Sequence, residues 1–124
     1  SIEIAVPAGL SALAELRALE QVLVNLLDNA VKYTAPGGSV KVTGKLRGVD
    51  VEIAVRDSGA GIDARHLPRI FERFYRVDKG RSRETGGTGL GLSIVKHVAE
   101  THGGSVQVES RMDQGSLFTL ILPR

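Results

Sequence analysis

The chain contains no cysteine, so disulfides and cysteine-ligated metals are both excluded. That absence is compatible with the cytoplasm, which is the expected location. No apolar run approaches the roughly 20 residues of a membrane span. The longest apolar segment, Val22 to Val31, is interrupted by Asn25, Asp28 and Asn29. Direct insertion into a membrane is therefore not expected, which leaves open a parent protein anchored in the inner membrane. A signal-peptide pattern is missing, and the chain starts at Ser1 rather than Met, as expected of a piece of a longer protein. Charge of one sign is also scarce: 16 Lys and Arg against 14 Asp and Glu give a formal net charge of +2. The one basic cluster, Arg73, Arg76, Lys79, Arg81 and Arg83, has no aromatic ladder beside it, so nucleic acid is not an expected partner.

What is present is ordinary for a globular domain, with 42% hydrophobic and 24% charged residues in 124 positions. That length makes one domain, spanning residues 1–124. Glycine is the outlier, with 15 residues against a usual ~7%. Six of them lie in two places, Gly59 and Gly61 after an apolar strand pattern, and Gly86, Gly87, Gly89 and Gly91 before a helical one. A bare backbone opening onto a helix start lets N–H groups and the helix dipole approach an anion, so the second run reads as a phosphate site.

Periodicity predicts a strand over 1–6 with Ile2, Ile4 and Val6 inward, and a helix over 16–33. A hairpin follows, with strands over 39–45 and 49–56 joined at Leu46-Arg47-Gly48. A short helical piece over 64–74, broken at Pro68, precedes a polar loop over 78–87. A helix over 90–101 and strands over 105–110 and 116–122 complete the chain. The order β-α-β-β-α-α-β-β predicts an α+β fold, a two-layer α/β sandwich whose mostly antiparallel sheet is covered on one face by helices.

Within the first helix, Asn25, Asn29 and Lys32 fall at i, i+4 and i+7, a stripe expected to point away from the leucines. An amide oxygen is a hard neutral donor suited to Mg²⁺, and a lysine one turn on suits a phosphate; a plain solvated face is the alternative. Asp57, at the end of a strand, is an acceptor that suits the exocyclic amine of adenine and repels the carbonyl of guanine; an ordinary Asp-rich turn with glycines at positive φ is the alternative. Gly59-Ala60-Gly61-Ile62-Asp63-Ala64 also matches a dinucleotide fingerprint, with Asp78 near the distance of a ribose acid. Its context is wrong, because the next helix is short and broken by Pro68 and no strand precedes Asp78. A Walker A loop is absent, since Gly-Lys-Ser/Thr does not occur.

Taken together, these segments resemble the motifs of bacterial sensor histidine kinases. Residues 23–33 resemble the N box, 57–62 the G1 box, 70–76 the F box and 87–92 the G2 box, with 115–119 a final glycine motif. Each is weak alone; in this order and spacing they are specific. The resemblance implies the Bergerat fold of the GHKL superfamily, binding ATP and Mg²⁺ beneath a flexible lid at about 78–88. It implies Asn29 as the metal ligand, with Asn25 supporting metal and phosphates and Lys32 and Arg76 reaching phosphate oxygens. Tyr33, Asp57, Gly59, Gly61 and Ile62 would line the nucleotide, with Thr119 assisting near adenine. Gly87, Thr88, Gly89, Leu90, Gly91 and Leu92 would offer backbone N–H groups to the phosphates. Phe71 and Phe74 would anchor the lid or be plain core aromatics, and Lys79, Arg81 and Arg83 would add charge or form a plain solvated loop. Related ATPases carry a glutamate in place of Asn25, and an amide cannot act as a base for water. The resemblance therefore implies transfer to an acceptor, a histidine followed by an acidic residue on a separate dimerising helical hairpin, and indirectly a response regulator. His66, His97 and His102 are not followed by an acid, so the acceptor is expected outside this chain. A serine/threonine kinase of the anti-sigma type and a non-catalytic nucleotide-dependent binding module are the alternatives.

Overall fold

A computed structural model describes residues 2–5, 16–34, 37–75 and 91–123, giving only the backbone for residues 2–5, Leu16 and Tyr33. In chain order the elements are β1 (Ile2–Ala5), α1 (Leu16–Tyr33), β2 (Val40–Arg47), β3 (Asp50–Asp57), α2 (Gly91–Thr101), β4 (Ser105–Arg111) and β5 (Gly115–Pro123). The strands form one sheet in the order β1-β2-β3-β5-β4. Only the β1–β2 pair is parallel, and α1 supplies the crossover such a pair needs. Ile2 and Ile4 take the register positions of Val40 and Val42.

The alternation read from the sequence becomes two distinct sheet faces. Val40 and Val42, Val51 and Val55, and Phe118, Leu120 and Leu122 are buried on the face toward the helices. There all but Val51 join one core with Val22, Leu26 and Ala30 of α1 and Val95 and Ala99 of α2. The opposite face carries Lys45, whose Nζ lies 3.1 Å from Glu52 Oε2 directly across the β2–β3 pair.

Local chemistry fixes the element ends. Arg47 pairs with Asp50, leaving Gly48 and Val49 as a two-residue loop. Gly48 at φ 63° supplies the first loop position of a type II′ turn, so the strands run through the Leu46-Arg47 expected as their connection. Helix α2 closes with a Schellman motif: Gly103 is at φ 78°, its N–H donates to Glu100 O at 3.1 Å, and Gly104 N–H donates to Ala99 O at 2.8 Å. A Cβ on Gly104 would stand 2.0 Å from Ile121 O, so the helix end lies on β5 itself.

One expected element does not form. Residues 64–74 make successive turns rather than a helix, through i→i−3 bonds such as His66 N–H to Asp63 O and Arg69 N–H to His66 O, both 2.9 Å. Pro68 removes the N–H a helix would need there and biases Leu67 away from helical angles. The sandwich therefore has one helix fewer than the sequence pattern suggests among the described residues.

Candidate functional site

At its last residue β3 delivers Asp57, buried at 4% exposure, onto the helix-covered side of the sheet. Its Oδ1 accepts the Gly59 N–H at 2.9 Å and the Ser116 N–H at 3.3 Å. Among the described residues no donor meets Oδ2. Burial raises the carboxyl pKa above the ordinary value, and the two backbone N–H bonds partly offset that rise. The arrangement is an acceptor oriented through one oxygen, with no partner among the described residues at the other.

Beyond Asp57 the chain is stitched to the β4–β5 turn. Asp113 N–H donates to Ala60 O at 2.7 Å, and Ile62 N–H donates to Ser110 Oγ at 2.7 Å. Gly61 sits at φ 79°, and a Cβ there would be 2.1 Å from Arg111 O. Its bareness thus has a packing cause in the chain itself, in addition to any expected ease of approach by a base.

Ser116 was not among the residues expected at the site. It pairs directly with Asp57 across β3 and β5, is 6% exposed and lies on the same face. The expected Thr119 does not: it pairs with Ala54 and Gln107 and lies between the core residues Phe118 and Leu120. Strand alternation therefore turns it to the opposite face of the sheet, away from Asp57. Parity with the apolar Phe118, Leu120 and Leu122 was the signal in the sequence that distinguishes Ser116 from Thr119.

The helices contribute a second cluster. Asn25 is half-buried, and its Nδ2 is enclosed with no hydrogen-bond partner among the described residues. At Gly91, the first residue of α2, an added Cβ would find Asn25 Oδ1 and Cγ at 3.9 Å. The start of α2, where backbone N–H groups lack intrahelical acceptors, thus stands beside the Asn25 side chain, which also carries the enclosed Nδ2 donor. Both features invite an anion. Asn29 is half-buried one turn along. The exposed positions of α1 include Gln21, Val24, Asp28 and Val31, whereas Asn25 and Asn29 are half-buried and do not belong to the plain solvated face that was the alternative. Lys32 is exposed in the last turn of α1. Leu92 is partly buried against the core, so its side chain packs while its backbone belongs to the first turn of α2.

Among the described residues no group of three His, Asp or Glu side chains converges on a cation site. An Asn29 amide oxygen fits a different arrangement, in which Mg²⁺ keeps waters and phosphate oxygens as most of its ligands. Phe71 meets Phe118 edge-on at 6.2 Å and is a core aromatic, whereas Phe74 is 67% exposed at φ 65°. Tyr75 Oη bonds His66 Nδ1, and Arg69 lies 4.6 Å over its ring. Arg76, the Tyr33 side chain, the loop with Lys79, Arg81 and Arg83, and Gly87, Thr88, Gly89 and Leu90 lie outside the described residues.

An acceptor on a two-layer α+β sandwich, with an amide-bearing helix beside a glycine-started one, defines a nucleotide-binding domain of the histidine-kinase type. Residues 14–124 match the family described as histidine kinase-, DNA gyrase B-, and HSP90-like ATPase, and the chain belongs to that family as a catalytic domain of sensor histidine kinase type. A sensor-like histidine kinase of Mycolicibacterium smegmatis, SenX3, is 48% identical over 99% of this chain, which spans 32% of that relative. The mycobacterial sensor histidine kinase MprB superimposes with a TM-score of 0.85 at 32% identity, covering 99% of this chain and 82% of that one. Full-length ShkA in complex with AMPPNP matches at a TM-score of 0.79 and 38% identity, covering 99% of this chain and 26% of that one. No described helix is long and apolar enough to cross a membrane.

Proposed function

We propose that this domain holds ATP with Mg²⁺ on the helix-covered side of the sheet. Its γ-phosphoryl group then passes to a histidine on a separate helical hairpin of the parent kinase, and from there to a response regulator. In this reading Asp57 takes the adenine amine on its free oxygen. Asn25 and the first turn of α2 meet the phosphates, and Asn29 supplies an amide oxygen to the cation. Lys32 and Arg76 contact phosphate oxygens. When bound, the cation supplies charge neutralisation on the phosphates; positioning is left to the chain.

The observation that carries the reading is the enclosed Nδ2 of Asn25, without a partner among the described residues, on a side chain whose Oδ1 and Cγ lie beside Gly91. An orphaned donor in that setting costs stability unless a ligand oxygen satisfies it. The same amide has no basic character near neutrality, so it cannot activate water, and transfer to another acceptor is favoured over hydrolysis. That the similar full-length ShkA is in complex with AMPPNP supports nucleotide binding by this domain.

The test supplies γ-labelled ATP and Mg²⁺ to the chain together with the histidine-bearing segment of its parent. Acid-labile phosphate on that segment is expected. Acid-stable phosphate on a serine would replace this reading with the anti-sigma type, and nucleotide binding without any transfer would reduce the domain to a binding module.

A further inference from the structure

Ser110 of β4 stands outside the proposed contacts, yet its hydroxyl touches three polar groups. Ile62 N–H donates to Ser110 Oγ at 2.7 Å, Gly115 O lies at 3.0 Å, and Ser116 Oγ lies at 2.7 Å. A serine hydroxyl has one proton and two lone pairs. A carbonyl can only accept, so the Ser110 proton belongs to Gly115 O. In the arrangement that makes all three hydrogen bonds at once, Ile62 N–H takes one lone pair and the other accepts from Ser116 Oγ, the donor of that pair. The oxygen of Ser110 is then saturated, and the single proton of Ser116 is spent on it.

We infer that Ser110 is a positioning residue for base recognition: by drawing the Ser116 proton toward itself, it leaves Ser116 Oγ as a pure acceptor beside Asp57. Asp57 and Ser116 are directly paired and share a face, which sets their Cβ atoms roughly 5 Å apart. Two acceptors at that spacing match an exocyclic amine, which has two protons to give. They oppose a ring carbonyl, which has none. The serine pair thereby sharpens selection for an amino-purine beyond what the carboxylate alone achieves. The inference rests on the proposed nucleotide site and specifies its discrimination.

The test compares binding of ATP and inosine triphosphate, which carries a carbonyl in place of the amine, by calorimetry on the whole chain. Ser110→Ala frees the Ser116 hydroxyl to turn its proton toward the carbonyl. The ATP-to-inosine-triphosphate affinity ratio is expected to fall about 3- to 10-fold, the range of one hydrogen bond. Ser110→Thr, which keeps the hydroxyl, should restore it. Ser116→Ala removes the acceptor itself and should lower the ratio without disturbing the Ser110 contact to Ile62. Parallel losses of both affinities in Ser110→Ala would make its role merely structural and overturn the inference, as would an unchanged ratio in Ser116→Ala. Wild-type chain that binds neither nucleotide removes the site and this role together; wild-type chain that prefers ATP, with unaltered selectivity in the variants, overturns this role alone.

Discussion

At Asp57 the needs of the fold and of the ligand oppose each other. Burial disfavours its charged form, so its pKa is raised despite two backbone N–H donors. Because the folded pKa lies above the unfolded one, the carboxyl contributes most to stability below the unfolded pKa. That contribution is lost as pH rises through the folded value. Binding runs the other way, since only the carboxylate accepts without a competing proton. Nucleotide affinity should therefore decline on acidification, with a midpoint above the ordinary aspartate value, measured by calorimetry across pH; a midpoint at or below that value would contradict the burial argument. Asp57→Asn separates the two demands. Its amide oxygen can still accept from Gly59 and Ser116, so thermal stability should hold or rise. ATP affinity should drop about 10- to 100-fold, the loss of a hydrogen bond to a charged group. A melt showing the variant unfolded would undermine this division.

At the scale of elements, the glycines divide into those the fold requires and those it does not. Gly61 and Gly115 have positive φ, and a Cβ would stand 2.1 Å from Arg111 O and 2.0 Å from Asp57 O respectively. Gly61→Ala should cost about 1–3 kcal/mol by strain and overpacking, read as a lowered unfolding midpoint. Gly91 is different: the nearest atoms to an added Cβ are those of Asn25 at an ordinary 3.9 Å, and its φ is not positive. Gly91→Ala should raise stability by up to about 1 kcal/mol, as expected for alanine in a helix. ATP affinity should fall because the methyl occupies the space beside Asn25, and unchanged affinity would show that the phosphates lie elsewhere. Composition alone could not make this division, because a glycine needed for a tight backbone crossing and one left bare for a ligand look alike in sequence. Where periodicity is strong and uninterrupted the elements were legible, as in α1, whose range of 16–33 matches the expectation. It failed over 64–74, where Ile70, Phe71 and Phe74 gave apolar spacing but Pro68 denied the backbone bonds. For Thr119 the limit was another: motif reading identified the segment and not its face, which the strand pairing of Ser116 with Asp57 decides.

Across the whole molecule, the acceptor pair is a property of the sheet and the amide donors are a property of the helices. A nucleotide spanning Asp57 and Asn25 would tie the two layers together, so its binding should register as global stability rather than a local change. Ligand at 100 times its Kd adds about 2.7 kcal/mol, which for a domain of this size corresponds to a rise on the order of 10 °C in unfolding midpoint. Removing the cation tests how that stabilisation is divided. With ATP and Mg²⁺ the wild-type chain should show the full shift, and chelation should leave only the part due to base and phosphate contacts. Asn29→Ala withdraws one amide oxygen from the cation while leaving Asp57 and Asn25 in place. Its shift with ATP alone should match the wild type, whereas the increment added by Mg²⁺ should shrink. Equal losses with and without Mg²⁺ would take Asn29 out of the cation's surroundings and make its side chain a contact of the nucleotide or of the fold.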